Sequence, residues 1–62
     1  MQNNLKKIRF EKGLTQQDMA DMACISRPAY NSIELGKVEP QIKTMQKLSK
    51  ALDMPIGDIF LL

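Results

Sequence analysis

Thr15 and Ser26 each open a short amphipathic helix, and only a tight turn separates the two. Asp18 stands three residues after Thr15, placed to reach back as a capping box, while Leu14 and Met19 occupy the positions of a hydrophobic staple. The pattern restarts at Ser26, with Ile25 and Tyr30 as its staple and Gly36 as the left-handed residue that ends the second helix. Helices this short and this closely joined must cross steeply, so the second projects from the body. Its outward residues are then Arg27, Pro28, Asn31 and Ser32, a surface shaped to enter a DNA major groove.

No strand is expected. Val38 is the only valine, aromatic residues are few, and apolar positions recur at helical spacing. A first helix is predicted from about Asn4 to Lys12, burying Leu5 and Ile8 and closing at Gly13. The second runs from Gln16 to Ala23 with Met19, Ala20 and Ala23 inward, and the third from Arg27 to Leu35 with Tyr30 and Ile33 inward. After a loop closed by Pro40, a fourth helix spans Gln41 to Leu52 with Ile42, Met45, Leu48, Ser49 and Leu52 on one stripe and a poor N-cap. A last turn or two, Ile56 to Leu61, opens at Pro55. Five helices with short connections make one all-α bundle, a single domain over residues 1–62.

A chain of 62 residues buries only about 60% of the surface it exposes when unfolded, so its stability is marginal unless dimerisation contributes. Cys24 is alone, which fits a reducing cytoplasm, and with no histidine there is no zinc ligand set. No cofactor, metal, membrane or small-molecule ligand is expected. The sequence holds no catalytic constellation, and Asp18 and Asp21 are explained by capping and solvation, so an enzyme is not expected. Net charge is +2, unevenly spread: Lys6, Lys7, Arg9 and Lys12 make the first helix basic, and Lys43, Lys47 and Lys50 share one face of the fourth. Charge alone would not establish nucleic-acid binding.

The residues Ile8-Arg9, Gly13-Leu14-Thr15-Gln16, Ala20, Ile25-Ser26-Arg27, Ile33-Glu34, Gly36-Lys37, Pro40 and Leu48 to Leu52 together resemble the Cro/repressor-type, XRE-like helix-turn-helix family over essentially the whole chain. The resemblance implies a compact five-helix, lambda-repressor-like DNA-binding domain with the helix-turn-helix at helices 2 and 3. It further implies that Gln16 bonds a backbone phosphate and the start of the recognition helix. Arg9 and Glu34 match a partly buried salt bridge between helices 1 and 3, and losing either partner should cost on the order of 3–5 kcal/mol. Lys37 matches a phosphate-contacting position, with Lys43 and Thr44 able to assist.

Base reading is assigned to Arg27, suited to guanine O6 and N7, and to Pro28, Asn31 and Ser32. Pro28 is either a thymine-methyl contact or a pure helix-start signal, and Asn31 either reaches an adenine edge or a phosphate, or is a plain surface residue. The sequence departs from the family at Cys24, where glycine is usual, and again at Asp53. A residue other than glycine at this left-handed turn costs about 1 kcal/mol, so either the turn is adjusted or the site is mildly strained, and Cys24 is expected to be a small, half-buried packing residue rather than a redox switch. Ile56, Phe60, Leu61 and Leu62 form either a dimer seam or a hydrophobic tail folded over the core.

The function expected is sequence-specific binding of double-stranded DNA by a homodimer on a palindromic operator, as a transcriptional regulator and more specifically a repressor. The alternative is a helix-turn-helix fold used for protein interaction, as in an antitoxin-like module. Met1 and a fifth helix that finishes near the end of the sequence favour a whole protein, with no room for a separate effector domain.

Overall fold

The computed structural model describes residues 2–61, and Leu62, one of the proposed seam residues, lies outside them. Five helices follow one another: α1 (Leu5–Lys12), α2 (Gln16–Ala23), α3 (Arg27–Glu34), α4 (Ile42–Leu52) and α5 (Ile56–Ile59). The capping box at α2 is complete: Asp18 N–H donates to Thr15 Oγ1 at 3.0 Å, and Thr15 N–H donates to Asp18 Oδ2 at 2.8 Å. The bond from Thr15 N–H, and after it the Thr15 hydroxyl, stabilise the ionised carboxylate and lower the pKa of Asp18. Ser26 Oγ accepts from Ala29 N–H at 3.2 Å and starts α3. Gln41, at the N-cap of α4, makes no side-chain cap bond.

Left-handed residues end four of the segments. Gly13 (φ 67°) and Gly36 (φ 77°) meet that requirement without a Cβ, whereas Cys24 (φ 58°) and Asp53 (φ 55°) carry one. The turn between α2 and α3 closes with Cys24 N–H bonded to Asp21 O and Ile25 N–H bonded to Ala20 O. Its backbone is therefore the glycine conformation with a side chain added. Cys24, the left-handed C-cap of α2, is exposed rather than half-buried.

The last element is shorter than expected. α5 stops at Ile59, and Phe60 turns extended to form an antiparallel bridge with Asn3. Asn4 N–H donates to Ile59 O at 2.7 Å and Leu61 N–H to Gln2 O at 2.9 Å, so the two ends of the described chain are tied together. No periodicity could announce such a pairing, because it joins single residues from opposite ends.

That pairing places Phe60 in the core with no exposure, together with Leu5, Ile8, Met19, Ala20, Ala23, Tyr30, Ile33, Leu48, Leu52 and Ile59. Phe60 is thus removed from any dimer seam; its ring is already covered within one chain. Ile56 is half-buried against the same core, so its apolar surface is largely used as well. The inward face of α4 also differs from the sequence reading. It is centred on Thr44, Leu48 and Leu52, one turn apart, while Ile42 is 67% exposed at the margin of the stripe. Ser49, half-buried on the flank of the stripe, donates its hydroxyl to Met54 O beyond the helix end.

Candidate nucleic-acid interface

Four polar side chains join α1, α2 and α3 in one network. Arg9 donates from Nε (3.2 Å) and Nη2 (3.1 Å) to the same oxygen, Oε1 of Glu34. Its third donor, Nη1, reaches Leu14 O at 3.2 Å, which anchors the segment entering α2. The ring of Phe10 lies 4.7 Å below the guanidinium and shields its outer face. The other carboxylate oxygen, Oε2 of Glu34, accepts from Gln16 Nε2 at 3.0 Å, and that same nitrogen donates to Asn31 Oδ1 at 2.8 Å. With the Glu34 side chain only 3% exposed, the ion pair sits where screening by water is weak.

Tyr30 packs beside this pair. Its hydroxyl is buried and makes no hydrogen bond of ordinary geometry. Burial first, and the charge of Glu34 second, push its pKa up. Asn3 bonds in two directions: Oδ1 accepts Leu5 N–H at 3.0 Å, and Nδ2 donates to Ile33 O at 2.9 Å. The N-terminal segment thereby holds the end of α3. Sequence reasoning missed Asn3, because its partner lies thirty residues away.

The residues that the sequence assigns to base reading separate into two sides of α3. Arg27 and Pro28 are exposed at its first turn and share a shallow concavity with Gln16 and the half-buried Asn31. Pro28 fits this turn because the N–H it lacks would have no intrahelical acceptor there. Ser32 faces the other way, into a groove with Ile25, Ala29, Val38, Pro40, Gln41 and Thr44. Lys37 is exposed just beyond α3, its backbone held by a 3.0 Å bond from its N–H to Ser32 O. Lys43 is exposed in the first turn of α4.

Two of the phosphate assignments change. Thr44 is only 8% exposed and its side chain is part of the inward face of α4, so its hydroxyl is poorly placed for an outside partner. Both amide hydrogens of Gln16 are engaged by Glu34 and Asn31. Gln16 touches α3 in its second turn, at Asn31 and Glu34, rather than at its start.

Two short helices packed together across a tight turn, braced by a largely buried ion pair, with the second presenting a polar first turn to solvent, define a helix-turn-helix domain. The chain belongs to the helix-turn-helix family, whose sequence profile matches residues 5–59, and within it to the Cro/repressor-type, XRE-like proteins. It is 53% identical over 53 residues to the uncharacterised HTH-type transcriptional regulator YqaE of Bacillus subtilis, covering 86% of this chain and 46% of that protein. It is 39% identical over 61 residues to the uncharacterised HTH-type transcriptional regulator MJ0272 of Methanocaldococcus jannaschii, covering 98% and 92%. It is 36% identical over 59 residues to the control protein C.MunI of a Mycoplasma species, covering 94% and 80%. The chain spans just under half the length of YqaE. Proteins of this family are regulators and not enzymes. Among the described residues, no helix is long and apolar enough to cross a membrane.

Proposed function

We propose that this chain binds double-stranded DNA in a sequence-specific manner and regulates transcription as a homodimer on a palindromic operator, acting in the cytoplasm as a repressor. One observation carries the reading. α3 presents Arg27 and Pro28 to solvent at its first turn, while Asn31 and Glu34 on its second turn fix its orientation through Gln16 and Arg9. A reading helix must be rigid relative to its phosphate anchors, because base contacts discriminate only when register is set. The naming of YqaE and MJ0272 as transcriptional regulators supports the same conclusion.

Within this reading Arg27 and Pro28 address base edges, with Asn31 beside them and Ser32 toward the neighbouring groove. Lys37 and Lys43 flank α3 as phosphate contacts. The seam of the dimer moves from Phe60 to Leu61 and Leu35, which are 47% and 60% exposed and line one concavity with Gln2, Asn3 and Gly36. The body measures 24 × 21 × 18 Å, a size at which two copies can set their α3 helices one DNA turn, about 34–36 Å, apart.

Selection from a random duplex library with the purified protein tests all of this together. A symmetric pair of half-sites one turn apart is expected, bound with an affinity that falls by about 10³–10⁵ between 50 and 200 mM salt for roughly 6–10 phosphate contacts. Absence of binding to any duplex at low salt would overturn the reading in favour of a protein-interaction module.

A further inference from the structure

We infer that Asn31 is a donor-only reader: its amide is locked with the oxygen inward and the nitrogen outward, so it selects guanine and discriminates against adenine. The inference rests on the DNA-binding reading above and adds the polarity of one contact.

The lock is a chain of forced hydrogen-bond directions. Arg9 carries only donors, and it spends two on Glu34 Oε1. A carboxylate paired in this way is an acceptor at its other oxygen as well, so Oε2 requires a donor. Gln16 therefore turns Nε2, not its carbonyl, toward Glu34, at 3.0 Å. The second hydrogen of the same nitrogen points to Asn31 at 2.8 Å and must meet Oδ1. Turning the Asn31 amide over would set N–H against N–H, and turning Gln16 over would set a carbonyl against a carboxylate.

What remains of Asn31 is Nδ2. It donates no bond to any of the described residues, and it shares the shallow concavity with Arg27 and Pro28. The usual asparagine contact with adenine needs both amide ends, the nitrogen on N7 and the oxygen on N6–H. Here the oxygen is spoken for. Two outward N–H groups instead match the adjacent acceptors N7 and O6 of guanine, and a lone thymine O4 less well. Glu34, which touches no DNA in this arrangement, is a positioning residue for the specificity of Asn31, acting through Gln16.

The test is duplex selection with the wild type, N31D and Q16M, with far-UV circular dichroism and urea titration to establish that each variant is folded. At the position whose preference N31D changes, the wild type should favour guanine over adenine by about tenfold. N31D keeps an acceptor toward Gln16 but turns an acceptor outward, so preference should pass to cytosine, whose N4 donates. Q16M removes the donor that holds Oδ1 and should raise the adenine-to-guanine ratio by about tenfold. A wild-type preference for adenine there, no position altered by N31D, or an unchanged ratio in folded Q16M would each overturn the inference. If Q16M does not fold, the N31D arm decides alone. Failure of the wild type to enrich any duplex is a different result: it removes the DNA-binding reading and this inference with it.

Discussion

Arg9 and Glu34 meet through two donors on one carboxylate oxygen, at 3.1 and 3.2 Å, so α1 and α3 are held by a bond whose angle as well as length is set. Arg9→Ala strands a carboxylate that is nearly enclosed and should cost about 3–5 kcal/mol. Small domains have stabilities of about 0.05–0.15 kcal/mol per residue, so that loss is a large fraction of the total here. Urea denaturation should place Arg9→Ala near or beyond the unfolding threshold at room temperature. The double variant Arg9→Ala/Glu34→Ala should be less destabilised than the sum of the single ones; strict additivity would mean the pair is not coupled.

Tyr30 makes a pH prediction. Its phenol is buried and held neutral, so its pKa is raised above the ordinary value near 10. A raised folded pKa means the contribution to stability is full below about pH 10 and is lost as pH rises further, because the unfolded chain ionises first. Tyr30 is the only tyrosine, so its ultraviolet titration is free of overlap. The native midpoint should lie above 10, and Tyr30→Phe should flatten the alkaline loss of stability. Tyr30→Phe removes a buried hydroxyl that lies beside Arg9 and Glu34, and near pH 7 should change stability by no more than about 1.5 kcal/mol.

At Cys24 the backbone is left-handed with φ 58°. Glycine removes the steric cost of about 1 kcal/mol but adds freedom to the unfolded chain. Cys24→Gly should therefore gain on the order of 0.5 kcal/mol, about 2–4 °C in Tm. Cys24→Val, with a branched Cβ at the same φ, should lose more than 1 kcal/mol. Calorimetric melting of the two variants checks both signs.

Phe60 and Leu61 are neighbours with opposite roles. Phe60→Ala empties a fully enclosed site and should cost about 3–5 kcal/mol in any oligomeric state. Leu61→Ala should change the stability of the single chain by no more than about 0.5 kcal/mol, yet weaken self-association if the Leu35–Leu61 concavity is the seam. Sedimentation equilibrium alongside urea titration separates the two effects.

For DNA binding, Arg27→Ala should relax preference at one base pair per half-site, while Lys37→Ala should weaken all sequences about equally and reduce the salt slope. Uniform loss across a randomised site library in both variants would show that Arg27 reads no base.

Much of the frame was legible in the sequence because it is local. Thr15 and Asp18 lie within one turn, Gly13 and Gly36 need no tertiary partner to be left-handed, and the inward faces of α2 and α3 follow from spacing. The stripe on α4 was read one position too wide at Ile42, since periodicity gives the direction of a face but not how far a neighbour extends along it. For Phe60 the sequence left open a dimer seam or a tail folded over the core, because an apolar residue near a chain end looks alike whether it is covered or not; the second holds.

The sequence by itself determined where the first four helices begin and end to within about one residue, which faces of α2 and α3 are apolar, and that Arg27 and Pro28 stand at the exposed opening of α3. Only the tertiary structure decided the rest. It pairs Asn3 with Phe60, brings Gln16 between Glu34 and Asn31, and buries the Tyr30 hydroxyl beside Arg9 and Glu34. Capping and periodicity act over a few residues and are written in order along the chain. Hydrogen-bond direction between side chains fifteen or more residues apart depends on where packed helices place them, and no local pattern carries that.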